Sequence, residues 1–177
     1  MTSAIAREVI ARLAGRGETL ATAESLTGGL IGSLVTEVPG ASANYVGGAI
    51  TYATRLKATL AGVPRTVLDA DGPVAESTAR AMAAGVAARC DADWGLAVTG
   101  VAGPEPQDGH PVGEVYVAVA HRRGGLVRSQ RLTLAGDRAT IRGHTAHQGL
   151  QLLADALSSE AAGPVSPSTS TAMSVVD

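Results

Sequence analysis

The chain has no phenylalanine, one cysteine and one lysine, and aromatic residues make up only 2% of its 177 positions. Each scarcity excludes something. A single cysteine, Cys90, excludes an intramolecular disulfide and fits a reducing compartment. With so few aromatics, the core has to be assembled from Ala, Val, Leu and Ile, which are small enough for helices to pack closely on a sheet. The longest uncharged stretches contain Gly, Pro, Ser and Thr and do not read as membrane spans. The N-terminal segment MTSAIAREVIARLAGRGE carries charges too often for a secretory signal. A cytoplasmic protein with no membrane partner is expected. The net charge of −2 lacks the basic excess of a nucleic-acid surface, so no direct nucleic-acid partner is expected, although a local anion site needs only a few donors. No GxxxxGK[ST] phosphate loop and no GxSxG nucleophile elbow occur, which argues against the enzyme classes built on them.

What is present points to one α/β domain. Residues 1–158 carry a continuous pattern, and the Ala/Ser/Pro/Thr-rich segment 159–177 has no hydrophobic period and reads as a disordered tail. Ile5, Val9, Ile10 and Leu13 predict a helix over 3–15, ended by Gly15 and Gly17. Strand-like runs follow at 19–23, 45–53 and 94–99. The first leads through Glu24–Gly29 into a helix reaching about Val38. The second leads into a helical 54–61 and a short helix or turn from Pro64 to Asp71. Ala75, Ala79, Met82, Val86 and Cys90 mark a long amphipathic helix. Residues 114–121 and 126–134 alternate around Gly124-Gly125 as a hairpin. Asp137 then caps a helix to about residue 157. The expected fold is a three-layer α/β/α sandwich with a mixed sheet, parallel strands plus an antiparallel hairpin.

Ligands of open α/β sheets bind beyond the carboxyl ends of the parallel strands. Three polar clusters fall there: Ser25/Thr27/Gly28/Gly29, Tyr52/Thr54/Lys57 and Thr99/Gly100/Gly103. Thr27, Gly28 and Gly29 open a helix, where free N–H groups favour an anion; they also read as an ordinary cap and turn. The Gly100–Gly103 loop is an anion nest or a plain turn. Lys57 reads as a solvated surface lysine or as a base. It is the only lysine beside 13 arginines, and a buried lysine, unlike arginine, can lose its proton near neutral pH. Arg138 and Arg142 share a helix face, either solvated or clamping a phosphate or carboxylate. His144 and His147 are three residues apart but have no acidic or thiol ligand nearby in sequence, so no metal and no cofactor are expected. Cys90 lies on an apolar helix face and reads as core.

The strings TAESLTGG (22–29), PGAS with GGAITYATRLKATLAGV (39–63), GPVAESTARAMA (72–83), LAVTGVAGP (96–104), PVGEVYVAVA (111–120) and GDR (136–138) resemble, in order and spacing, the CinA C-terminal domain family. The resemblance covers nearly all of residues 3–157. It implies hydrolysis of the carboxamide of nicotinamide mononucleotide to nicotinate mononucleotide and ammonia by a metal-free Ser/Lys mechanism, and a homo-oligomer acting on a small-molecule nucleotide. It does not extend to the N-terminal domain of full-length CinA proteins, so that domain's pyrophosphatase activity is not expected. The sequence departs from the family pattern in two places: the loop 103–111 is short and poor in acidic residues, which bears on substrate range, and Leu134-Ala135 stands where an aromatic and a small residue often precede GDR. The rival reading is a non-catalytic nucleotide- or partner-binding module linked to competence or DNA damage, supported by the anion-friendly loops and the basic residues around His121–Arg123, Arg128 and Arg131.

Under the amidohydrolase reading, Lys57 is the base, and Ser42 or Ser25 is the nucleophile. Tyr52 completes the catalytic set, and Thr27, Gly28, Gly29, Thr99, Gly100 and Arg138 bind substrate. The resemblance favours Ser42. Strand geometry opposes it, because a straight strand over 45–52 would span about 25 Å at about 3.3 Å per residue and a lysine side chain reaches only about 6 Å. The conflict is resolved by a shorter or bent strand, by a pair formed across a subunit interface, or by Ser25 as the nucleophile.

Overall fold

The computed structural model describes residues 3–125 and 127–160. The elements follow as α1 (Ala4–Arg16), β1 (Leu20–Glu24), α2 (Leu30–Thr36), a 3-10 turn (Ala41–Ala43), β2 (Tyr45–Ile50), α3 (Thr54–Thr59), α4 (Arg65–Asp71), α5 (Glu76–Arg89), β3 (Trp94–Gly100), β4 (Glu114–His121), β5 (Val127–Thr133) and α6 (Arg138–Glu160). The five strands form one sheet in the order β2-β1-β3-β4-β5. β2, β1 and β3 are parallel, and β4 and β5 continue the sheet as an antiparallel hairpin. Helices α1, α2 and α6 cover one face, and α5, with α4 packed on it, covers the other. The three-layer mixed-sheet fold is therefore the one the sequence implies.

Alternation along the strands gives the two faces different cores. Leu20, Trp94, Leu96, Val98, Val115, Val117 and Val119 point to the α1/α2/α6 layer. Ala21, Ala23, Ala97, Ala118 and Ala120 point to α5. The period of two sends large residues one way and small ones the other. On the small side the helix backbone comes very close: a Cβ on Gly95 would stand 1.9 Å from the Ala83 carbonyl oxygen.

Boundaries differ from expectation in places. Gly15 lies inside α1, which ends at Gly17 in a left-handed conformation (φ 63°). β2 stops at Ile50 rather than reaching residue 53, because α3 begins at Thr54. Asp137 does cap α6, its Oδ1 accepting the Thr140 amide at 2.8 Å. That helix runs on to Glu160. Ser159 and Glu160, expected to open the tail 159–177, are therefore helical, and the rest of that segment, 161–177, lies outside the described residues.

The topology creates a crevice. The connection after β1 crosses to β2 on the α2 face, and the connection after β2 returns over β1 to β3 on the α5 face. Right-handed crossovers in opposite directions place their helices on opposite faces. The loops leaving β1 and β2 therefore diverge, opening a gap at the carboxyl ends of these two strands.

Candidate active site

Ser25 and Lys57 meet in that crevice. Glu24 pairs with Ile50 in register, and the Thr51 amide donates to the Glu24 carbonyl at 2.8 Å, so the chain leaves both strands at the same level. α3 then turns back, and Lys57 reaches toward the strand ends. Its Nζ lies 2.8 Å from Ser25 Oγ and donates to the Thr51 carbonyl at 3.0 Å. Lys57 is only 2% exposed, and among the described residues no carboxylate forms an ion pair with it. Burial without a counter-charge disfavours the ammonium and pulls its pKa from 10.5 down to about 8. Burial is the cause of the shift.

Sequence reasoning overlooked Glu24. Its buried carboxylate sits under the start of α2 and accepts the amides of Gly29 and Ile31 at 3.0 Å each and of Gly32 at 2.8 Å. Of the donors expected to form an anion site at Thr27–Gly29, the Gly29 amide is thus taken by the chain's own carboxylate, and the Gly28 amide donates to the Ser25 carbonyl at 3.1 Å. Gly28 and Gly29 shape the turn at positive φ (61° and 98°). Thr27 is fully buried, its hydroxyl without a hydrogen-bond partner among the described residues. The carbonyls of Leu26 and Thr27 accept from Arg142 at 3.0 and 2.7 Å, which fixes the loop carrying Ser25 to α6. A carboxylate at a strand end just before a helix start was the available signal.

A cleft of about 140 Å³ opens beside Ser25, lined among others by Tyr52, Thr54, Gly100, Gly103, Gln107 and Arg138. Arg138 spans its mouth, donating to the Gly103 carbonyl at 2.7 Å and to the Tyr52 hydroxyl at 3.0 Å. The clamp of Arg138 and Arg142 thus holds protein oxygens on both sides of the Ser25 loop. Gly100 allows β3 to pass close to β4, since a Cβ there would stand 2.6 Å from the Glu114 carbonyl oxygen. Thr99 is buried and does not line the cleft; its hydroxyl donates to the Pro73 carbonyl at 2.7 Å, holding the loop before α5 against β3. The amides of Ala102 and Gly103, on the loop facing Ser25, meet no protein acceptor among the described residues.

Ser42 is not brought to Lys57. It is exposed on the 3-10 turn before β2, in a separate hollow with Val38, Pro39 and Tyr45. Six residues of β2 separate it from the crevice, a rise of about 20 Å. The shorter strand does not close the gap, because β2, despite one bulge between Tyr45 and Gly47, stays paired along β1 to Ile50; the within-chain Ser42–Lys57 pair is corrected to Ser25–Lys57. Among the described residues no three His, Cys, Asp or Glu side chains converge as metal ligands, and no helix is long and apolar enough to cross a membrane.

The chain is 48% identical over 145 residues to a CinA-like protein of Frankia casuarinae, covering 82% of this chain and 33% of that protein. It is 45% identical over 153 residues to a putative competence-damage inducible protein of Geobacillus kaustophilus, covering 86% and 37%. The chain thus spans about a third of the length of these relatives. Among solved structures, a CinA superfamily protein from Klebsiella pneumoniae superposes with a TM-score of 0.83 at 29% identity, over 88% of this chain and 96% of that one. A competence/damage inducible protein from Agrobacterium tumefaciens superposes with a TM-score of 0.82 at 36% identity, over 87% and 93%. The model of the CinA C-terminal domain matches residues 2–157, so the chain belongs to the CinA C-terminal domain family.

Proposed function

We propose that this chain is an amidohydrolase that converts nicotinamide mononucleotide into nicotinate mononucleotide and ammonia, with Ser25 as nucleophile and Lys57 as general base. The observation that carries the reading is the 2.8 Å contact between Ser25 Oγ and a buried lysine whose pKa is lowered to about 8. A lysine is a competent base only when neutral, and burial without a counter-charge supplies that condition. The carboxamide substrate comes from the sequence resemblance.

The mechanism follows from the contacts. Neutral Lys57 Nζ takes the Ser25 hydroxyl proton as Oγ attacks the carboxamide carbon. The carbonyl electrons move to oxygen, and the amides of Ala102 and Gly103 stand on the facing loop as candidate donors to that oxyanion. Protonated Lys57 then gives its proton to the departing nitrogen, which leaves as ammonia, and the carbonyl reforms as a Ser25 ester. Water, deprotonated by Lys57, attacks the ester, and the proton returns to Oγ as the acid departs. The Thr51 carbonyl holds Nζ in place throughout. Tyr52 and Arg138, hydrogen-bonded to each other, line the cleft in which the substrate lies.

The test is ammonia release from nicotinamide mononucleotide by the purified protein, with Ser25→Ala as control. Turnover by the parent chain that the substitution removes supports the reading. No release at any pH from 6 to 10, or turnover unchanged in Ser25→Ala, would overturn it.

A further inference from the structure

The cleft beside Ser25 is about 140 Å³, and the cations on or near its wall already have partners. Arg138 holds Gly103 and Tyr52, Arg142 holds Leu26 and Thr27, and the α2 amides hold Glu24. A second hollow, of about 240 Å³, lies between α3 and α4 and is lined by Thr54, Arg55, Ala58, Arg65, Leu68 and Asp69. Thr54 belongs to the walls of both, so the two hollows adjoin. Arg55 and Arg65 are exposed, and among the described residues neither guanidinium donates to a protein acceptor or pairs with a carboxylate. Arginines elsewhere are mostly engaged: Arg12, Arg16, Arg80, Arg89, Arg122, Arg123 and Arg131 all have partners. Asp69 stands one helical turn after Arg65 without forming an ion pair with it, so both forks remain available.

We infer that the Arg55/Arg65 hollow is a phosphate subsite, which receives the 5′-phosphate of the substrate while the carboxamide lies at Ser25. The inference rests on the amidohydrolase reading for the identity of the carboxamide, but not for the binding of the phosphate monoester. Two guanidinium groups lining one hollow offer paired N–H donors to a phosphate dianion, and guanidinium is the side-chain group best matched to that geometry. α3 carries Lys57 and, two positions before it, Arg55, and its first residue Thr54 lines both hollows, so one short helix holds the base and flanks the anion subsite. This assigns the phosphate to a different part of the protein from Arg138 and the α2 start, where the sequence had suggested it.

The experiment compares the full chain with the Arg55→Ala/Arg65→Ala double variant in two measurements. The first is calorimetric titration with ribose 5-phosphate, with ribose as the uncharged control. The expected result is a Kd for ribose 5-phosphate at least about tenfold weaker in the double variant, at an unchanged melting temperature and with the Arg→Lys pair partly restoring affinity. The second is turnover of nicotinamide mononucleotide and of the riboside. The KM for the mononucleotide is expected to rise at least about tenfold with kcat within about twofold, while the riboside is unaffected. Unchanged ribose 5-phosphate binding overturns the subsite, as does a mononucleotide-specific loss in Arg138→Ala that the double variant does not show. If neither substrate releases ammonia from the parent chain, the amidohydrolase reading fails, and the ribose 5-phosphate titration alone decides the subsite.

Discussion

The two ends of the sheet contain similar residues put to different uses. At the carboxyl ends of β1 and β2, Ser25 meets a buried lysine with no counter-charge, beneath a loop held by Glu24 and Arg142. At the opposite end, Ser42 is exposed on a turn and Tyr45 reaches back to Thr22 at 2.8 Å. There the charged groups are paired. Trp94 Nε1 donates to Glu18 at 2.7 Å, Arg16 meets the same carboxylate at 2.7 Å, and His121 stacks on Trp94 with ring centroids 4.7 Å apart. Hydrogen bonds and Arg16 hold the Glu18 carboxyl below the usual carboxylate range against the opposing effect of burial, which is the largest single influence on it. One end leaves a charge unbalanced in a buried place and the other balances its charges. Unbalanced burial makes a reactive group; balanced burial makes a fastening.

The contrast is tested most severely by exchanging serines. Ser25→Ala is expected to lower ammonia release by about 10⁴-fold or more, the scale seen when one member of a catalytic unit is removed. Ser42→Ala should stay within about twofold. A large loss in Ser42→Ala would mean that the two ends cooperate across a subunit interface.

Lysine 57 is next. Lys57→Arg should abolish turnover with the fold intact, because arginine keeps its charge at all working pH values. In the parent chain the rate should climb with pH and level off above about 8, where the folded lysine is neutral. Stability has a matching sign. The unfolded lysine keeps its proton to about 10.5, whereas the folded one releases it near 8. Between those values the unfolded state binds more protons, so unfolding free energy rises with pH. Below about 8 the cost of burying the charge is fully present. Lys57→Met should therefore stabilise the fold at neutral pH by up to about 3 kcal/mol and abolish the rise between pH 8 and 10. Denaturant titrations at several pH values would show either the slope or its absence.

Glu24→Ala leaves three amides at the start of α2 without their acceptor and should cost about 3 kcal/mol, seen as a lower denaturant midpoint. It should also reduce turnover by displacing the Ser25 loop. At the other end, Glu18→Ala should cost about 1 kcal/mol or slightly more, since the Trp94 indole loses its acceptor. Turnover should not change. A comparable activity loss in both variants would erase the distinction between the ends.

The sequence by itself determined the layers. The alternation of Leu20, Leu96 and Val98 with Ala21, Ala23 and Ala97 assigned each strand residue a face, because side chains alternate with period two wherever the chain is extended. The placement of Ser25 and Lys57 at strand ends was legible for the same local reason, as was the Asp137 cap. The choice between Ser25 and Ser42 was not, because it depends on strand order and register. Only the parallel pairing of Glu24 with Ile50 brings Ser25 level with Thr51 and within reach of Lys57 Nζ. The same limit hid Glu24 and the partners of Arg142. A carboxylate and a guanidinium read as surface charges until the helix amides and loop carbonyls they bind are placed beside them, which is a matter of distance in space and not along the chain. Tertiary structure also decided the charge state of Lys57, since the loss of water that lowers its pKa comes from the elements packed around it.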